Sequence, residues 1–230
     1  MRKSILSLIF STLIATMGFT TSSSALGLEG LGIGFSVGTA GYYAVGEEKT
    51  DNKRPGEDEA SKAGAFQNDI GSIFIEYTTG PVTFGVDYHL EDISTPTNTN
   101  VQWTTDSRTA AKDQTNLTNT VKATFENLTT AYIAVPIWGG VYVKAGAIYV
   151  DINTQENLGT GGEYGNTDTT GLTAGLGFQH EVKDGFSIRG ELLAAQYDDV
   201  KVTNSKNTTT QVSITDMMGA SARVSFVKTF

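Results

Sequence analysis

The chain has 230 residues, with 16 Lys and Arg against 25 Asp and Glu, a formal net charge of −9 and no cysteine. The acidic balance argues against nucleic acid as a partner, because phosphate binding needs a clustered excess of Lys and Arg. Without thiols there is no disulfide framework, thiolate metal site, Cys nucleophile or lipid-modified N-terminal Cys.

The N-terminus reads as a secretory signal. Arg2 and Lys3 supply the positive start, Ile5 to Phe19 an apolar stretch too short to span a bilayer, and Ser23-Ser24-Ala25 a small-residue cleavage point. Residues 1–25 are therefore predicted to be a signal peptide and 26–230 a single exported domain of 230 − 25 = 205 residues. Because 1–25 contain no acid, losing Arg2 and Lys3 moves the balance from 16 − 25 = −9 to 14 − 25 = −11. After Ala25 no stretch is long and apolar enough for a membrane helix. A barrel strand crosses with only ~9–11 residues, one in two of them apolar.

The pattern along the chain is dyadic. From Gly32 to Gly46 one parity carries Ile33, Phe35, Val37, Tyr43 and Val45, and the other Gly32, Gly34, Ser36, Gly38, Ala40 and Ala44, a nearly bare face. A charged, turn-rich loop is expected over Glu47–Asn68. The second strand, Asp69 to Thr78, sets Ile73, Ile75 and Tyr77 against Ser72, Phe74 and Glu76, and Thr79-Gly80-Pro81 turns it. In the third, Val82, Phe84, Val86, Tyr88 and Leu90 alternate with Thr83, Gly85, Asp87, His89 and Glu91; no helical face passes through this run. This parity predicts that Val86→Arg is more damaging than Thr83→Arg or Gly85→Ser.

A long Asn/Thr-rich connection, Asp92 to Glu126, leads to a fourth strand over Asn127–Ile137. Its parity is divided, and the outward set is taken as Ala131, Ile133, Val135 and Ile137 rather than Leu128, Tyr132, Ala134 and Pro136. After the turn at Trp138-Gly139-Gly140, Val141, Val143, Ala145, Ala147 and Tyr149 oppose Tyr142, Lys144, Gly146 and Ile148. A third loop covers Asp151–Thr169. Strand six opposes Leu172, Ala174, Leu176 and Phe178 to Thr173, Gly175, Gly177 and Gln179, and Lys183-Asp184-Gly185 turns it. Strand seven sets Phe186, Ile188, Gly190, Leu192 and Ala194 against Ser187, Arg189, Glu191, Leu193 and Ala195. A fourth loop, Asp198–Thr210, precedes a final strand in which Met218, Ala220, Ala222, Val224 and Phe226 alternate with Gly219, Ser221, Arg223 and Ser225.

Eight strands joined by strictly alternating long and short connections, ending on Phe230 and preceded by a signal, resemble the bacterial outer-membrane β-barrels, in size the small OmpA/OmpX-like type. The resemblance implies an all-β fold, an eight-stranded antiparallel up-and-down transmembrane β-barrel in the cell outer membrane, with short turns in the periplasm and long loops outside. It also implies contact with the lipid bilayer and lipopolysaccharide, recognition by the outer-membrane assembly machinery through Phe226 and Phe230, and extracellular ligands met by the loops. Lys228 departs from the family pattern, which has an apolar residue two before the terminal aromatic; near the interface a Lys can snorkel to water. Nothing follows Phe230, so the peptidoglycan-binding domain that some relatives append is expected to be absent.

Glu76, Asp87, His89, Glu91, Lys144, Arg189, Glu191 and Arg223 all fall on the parity opposite the lipid-facing one. Facing lipid, a basic residue at mid-depth costs ~2–4 kcal/mol. An eight-stranded barrel is just wide enough for side chains to fill it, so these eight are expected inside as an ion-pair lattice that plugs the lumen. A small passive channel is the alternative.

An outer-membrane barrel enzyme is the third reading, since His89 has Asp87 and Glu91 on its face; but no motif marks a nucleophilic Ser, and His89 and His180 both lie near strand ends. A metal at His89 has no better support. Gly30–Gly34 and Gly171–Gly177 superficially resemble phosphate-cradling loops, yet β alternation continues through both, and no cofactor is expected. Tyr43, Tyr77, Tyr88, Trp138, Tyr149 and Phe230 lie toward strand ends, as aromatic girdles do. The acceptor triplets at Asn116, Asn127 and Asn207 mean little in an Asn/Thr-rich bacterial sequence. The predicted role is structural or surface-interactive, not enzymatic.

Overall fold

In the computed structural model, residues 28–50, 60–105, 114–158, 162–206, 208 and 210–230 are described; the predicted signal peptide lies outside them. The strands are β1 (Leu31–Thr50), β2 (Ala60–Thr79), β3 (Val82–His89), β4 (Ile93–Ser94), β5 (Asn98–Thr105), β6 (Gln114–Trp138), β7 (Val141–Leu158), β8 (Thr167–Lys183), β9 (Phe186–Tyr197), β10 (Val200–Thr203) and β11 (Thr210–Thr229). Eight of them form a ring in the order β1-β2-β3-β6-β7-β8-β9-β11, closed by antiparallel pairing of β1 with β11. No helix among the described residues is long and apolar enough to cross a membrane; the strands make the wall.

Alternation produces this ring. Leu172 and Leu192 are 70% and 67% exposed on the outer wall, an exposure that an apolar solvent accommodates and water does not. On β6, Ala131, Ile133 and Ile137 face outward while Leu128, Tyr132 and Ala134 are buried, as the favoured parity required; Pro136, expected inward, is exposed, next to the register shift between Pro136 and Trp138. The short turns rest on positive-φ residues at Gly80, at Gly139-Gly140 and at Asp184-Gly185, where the paired positive values suit two-residue hairpins. The seam is sealed to its last residue: the Phe230 N–H donates to the Leu31 carbonyl at 2.8 Å, and the Gly30 N–H to the Phe230 carbonyl at 3.0 Å. Phe35 and Phe226 stack across the seam with centroids 5.2 Å apart.

The long connections differ from the expected loops. Much of Glu47–Asn68 and Asp92–Glu126 is strand: β1 runs on to Thr50, β2 begins at Ala60, and β4, β5 and the first half of β6 occupy the second segment. Likewise β7 extends to Leu158, β8 begins at Thr167, and β10 lies within Asp198–Thr210. At ~3.3 Å per residue and a tilt of ~40°, the 25 residues of β6 rise roughly 60 Å, about twice the hydrocarbon thickness. β4 and β5 continue the place of β3 along β6, and β10 that of β9 along β11. Polar Asn/Thr composition concealed these extensions because a strand standing in water needs no apolar parity.

Two β-bulges interrupt the barrel wall. On β6, Asn127 and Leu128 oppose Val150 alone, and on β11, Asp216 and Met217 oppose Ala44 alone. Asn127 (φ 55°) and Asp216 (φ 52°) take the positive φ that non-Gly residues rarely adopt. β6 and β11 stand four places apart in the ring, so the bulges lie on opposite sides. Each turns an apolar side chain, Leu128 or Met217, into the interior. Near the first, Tyr88 Oη donates to Asn127 Oδ1 (3.1 Å), Asn127 Nδ2 to Asp151 Oδ2 (2.8 Å), and Tyr149 Oη to Asp151 Oδ1 (2.8 Å). The girdle tyrosines thus end in a polar rim, whose two bonds hold the exposed Asp151 carboxyl below its usual range.

Gly85 departs from the expectation of a mild Ser substitution. A Cβ there would lie 2.3 Å from the Tyr132 ring, so Gly85→Ser would force that ring to move. The register test therefore rests on Val86, which faces lipid, against Thr83, which faces inward beside the β2–β3 turn. Val86→Arg should reduce folding yield in lipid vesicles, reflecting a penalty of ~2–4 kcal/mol, well beyond the effect of Thr83→Arg; equal yields would contradict the register.

Candidate functional site: the charged lumen

Alternation sends the charged parity inward. Glu76, Asp87, Lys144, Arg189, Glu191 and Arg223, from β2, β3, β7, β9 and β11, are all buried. At one side Arg189 is a fork on Glu76: Nη1 donates to Oε2 at 2.7 Å and Nη2 to Oε1 at 2.5 Å, while its Nε donates to Gln179 Oε1 at 2.7 Å. Tyr132 Oη donates to Glu76 Oε2 at 2.9 Å. At the other side Glu191 is the hub: Lys144 Nζ reaches Oε1 at 3.0 Å, Tyr142 Oη the same oxygen at 2.8 Å, and Arg223 Nη2 reaches Oε2 at 2.8 Å. Arg223 Nη1 also donates to Asp87 Oδ2 at 3.1 Å. Lys144 Nζ, 3.9 Å from the Tyr132 ring centroid, joins the two groups.

Three acids and three bases thus balance, and each carboxylate accepts from at least one cation. Buried charges tolerate removal from water only in such company. The aromatic partners depend on neighbours without side chains: Tyr132 lies over Gly85 on β3, and Tyr142 over Gly177 on β8, where an added Cβ would come within 2.1 Å of the ring.

The eight sequence candidates do not all meet. His89 is inside, with Nε2 3.8 Å from Asp87 Oδ1 and only 9% of its side chain exposed. Glu91 is not part of the lattice: β3 ends at His89, and Glu91 lies exposed beyond it, outside the alternation that would have turned it inward. His180 stands exposed on the outer wall with Phe178 and Val182. Phe226 is exposed to the membrane, and Lys228 Nζ lies 4.6 Å from the Phe186 ring centroid and bonds the Asp184 carbonyl at the turn, so its charge does reach the rim.

Sequence reading missed two features. Tyr132 and Tyr142 are lattice members, and their signal was inner parity beside a glycine on the neighbouring strand. Above the lattice, toward the long connections, the interior is apolar. Ala40, Ile70, Ile93, Leu128, Ile148 and Val150 form one cluster, with Tyr42, Phe66, Phe125 and Tyr197 packed on it; Ile152, Val200 and Met217 form a second. Tyr42, stacked on Phe66 at 5.3 Å, shows that the inner face of the first strand is not bare. A cavity of about 50 Å3 separates lattice from apolar tier, and another of about 40 Å3 lies within that tier.

Residues 11–215 match the outer membrane protein beta-barrel domain family. The chain belongs to this family and is an outer-membrane β-barrel protein. Among solved structures it is similar to the outer membrane protein OprG from Pseudomonas aeruginosa, at 13% identity and TM-score 0.52, covering 88% of this chain and 97% of that one. Neisserial surface protein A, NspA (12%, TM-score 0.36, covering 85% and 97%), and the outer membrane protease OmpT from Escherichia coli (8%, TM-score 0.47, covering 87% and 96%) are more distant. At these identities OprG supports the fold alone, and the two lower scores carry no argument. A search of curated proteins found no match.

Because Glu191 joins two cations, its loss should be severe. Glu191→Gln leaves Lys144 and Arg223 facing each other, with Asp87 the one acid still bonded to either. The heat-induced gel-shift midpoint should fall, for a loss of about 3–5 kcal/mol. Glu191→Gln combined with Lys144→Met should recover part of it, a non-additivity that a double-mutant cycle reads directly.

Proposed function

We propose that this protein is a closed outer-membrane barrel with a structural and surface-interactive role, neither a conducting pore nor an enzyme. The observation that carries the reading is the filled interior: an ion-pair lattice toward the short turns and an apolar tier toward the long connections. Hydrated ions meet first a paired, balanced layer and then one with no groups to replace their water. Against catalysis, His89 and Asp87 open onto a cavity of only about 50 Å3, room for a water or two and no substrate. The long-connection end, extended by β5, β6 and β10 beyond the lipid-facing belt, is the surface offered to extracellular ligands. The aromatic girdles contact lipid and lipopolysaccharide, Phe226 and Phe230 serve recognition by the assembly machinery, and residues 1–25 are removed on export.

Two measurements test this. In planar bilayers the unmodified protein should give little or no steady conductance, and Arg189→Ala with Lys144→Ala should raise it while lowering thermal stability; large, stable conductance from the unmodified barrel would promote the channel reading. Orientation is accessible because the chain lacks Cys. A bulky maleimide added to whole cells should label Thr97→Cys, exposed between β4 and β5, and spare Asp184→Cys in the β8–β9 turn until the outer membrane is permeabilised. The opposite pattern would invert the topology.

A further inference from the structure

The cavity between the two tiers collects the unpaired polar atoms of the lattice. Asp87 Oδ1, His89 Nδ1 and Arg223 Nε are buried without a hydrogen-bond partner, and all three residues line it. The side chains of Asp87 and Arg223 are 2% and 5% exposed. The set is complementary: Arg223 Nε–H donates, Asp87 Oδ1 accepts, and with His89 Nε2–H turned toward Asp87 its Nδ1 accepts too. About 50 Å3 has the volume for one or two waters bonding all three.

This corner is asymmetric in a way the rest of the lattice is not. Asp87 has only one oxygen engaged, by Arg223 Nη1, and its other oxygen is 3.8 Å from His89 Nε2. Besides His89, the titratable groups at the cavity are Asp87 on β3, Lys144 on β7, Arg223 on β11 and the phenols of Tyr42 on β1 and Tyr197 on β9; among the described residues β2, β6 and β8 add none. With three acids balancing three bases, a proton on the imidazole is a fourth positive charge. Its nearest acid is Asp87, already held by Arg223.

We infer that His89 is a proton-sensitive switch on the lumen plug: the imidazolium draws on the free Oδ1 of Asp87 and sets a fourth positive charge beside Arg223, the guanidinium's hold on Asp87 weakens, and the lattice loosens. Only the proton moves, from solvent to the imidazole, and no covalent bond other than that N–H is made. Imidazole is the side chain whose ordinary titration lies between roughly pH 5 and 8, and the chain has only two His. His180, on the outer wall, is the internal control.

The inference rests on the closed-lumen reading. The test is conductance of the full barrel in planar bilayers at about pH 7.5 and about pH 5.5, a span across which an ordinary imidazole gains its proton. Opening events should rise several-fold in the unmodified protein and in His180→Gln, and stay within about twofold in His89→Gln. A pH-independent protein, or a response kept by His89→Gln, overturns the switch. Should His89→Gln not fold, or the unmodified barrel already conduct at the higher pH, which sinks the plug and not the switch, NMR of the unmodified protein in detergent micelles decides. The His89 ring and the Arg223 Nε–H signals should titrate together; an Arg223 signal that stays still while the imidazole titrates, or an imidazole that does not titrate over this range, overturns it.

Discussion

The interior of an eight-stranded barrel has little room for an unpaired charge. Glu76, Asp87, Lys144, Arg189, Glu191 and Arg223 are buried together, and strand alternation denies each of them any other direction. Facing lipid is costly and slipping register moves every side chain at once, so mutual pairing is the arrangement left. Other features follow from it. Tyr132 and Tyr142 supply the hydrogen bonds that ion pairing leaves open, and Gly85 and Gly177 make the space those rings occupy.

The second tier obeys a different rule. From the level of Ala40 and Ile148 up past the two bulges, aliphatic and aromatic side chains pack the interior, stabilised by burial in the way of a water-soluble protein. Leu128 and Met217, turned inward at the bulges on β6 and β11, belong to this packing. The charged tier thus lies at the depth where the outer wall is most apolar, and the apolar tier where the wall turns polar. The barrel is inverted relative to a soluble protein only over its lipid-facing belt.

Much of this was legible in residue alternation. The strands beginning at Val82 and at Phe186 could be assigned element and face from parity alone, and the charged inner set followed, Glu91 excepted. The lipid boundary supplies that signal by demanding an apolar residue at every second position. Where the demand ends the signal ends, so Asn98–Thr105 and the first half of β6 read as loop although hydrogen bonds to neighbours make them strand. Bulges were illegible for a related reason: Asn127 and Asp216 adopt a positive φ that composition does not announce. The partners within the lattice could not be read either, since β2 meets β9 across the lumen through the Glu76–Arg189 pair, a contact that depends on the curvature of the whole ring.

The claim that pairing governs the interior is tested most directly by exchanging the charges of one pair. Glu76→Arg or Arg189→Glu alone places like charges together in the lumen and should abolish folding into lipid vesicles. The double exchange keeps both charges and reverses their order, and should restore most of the yield and the heat-modifiable gel shift. If either single variant folds as well as the unmodified protein, or the double exchange folds no better than the worse single, charge pairing is not what the barrel depends on.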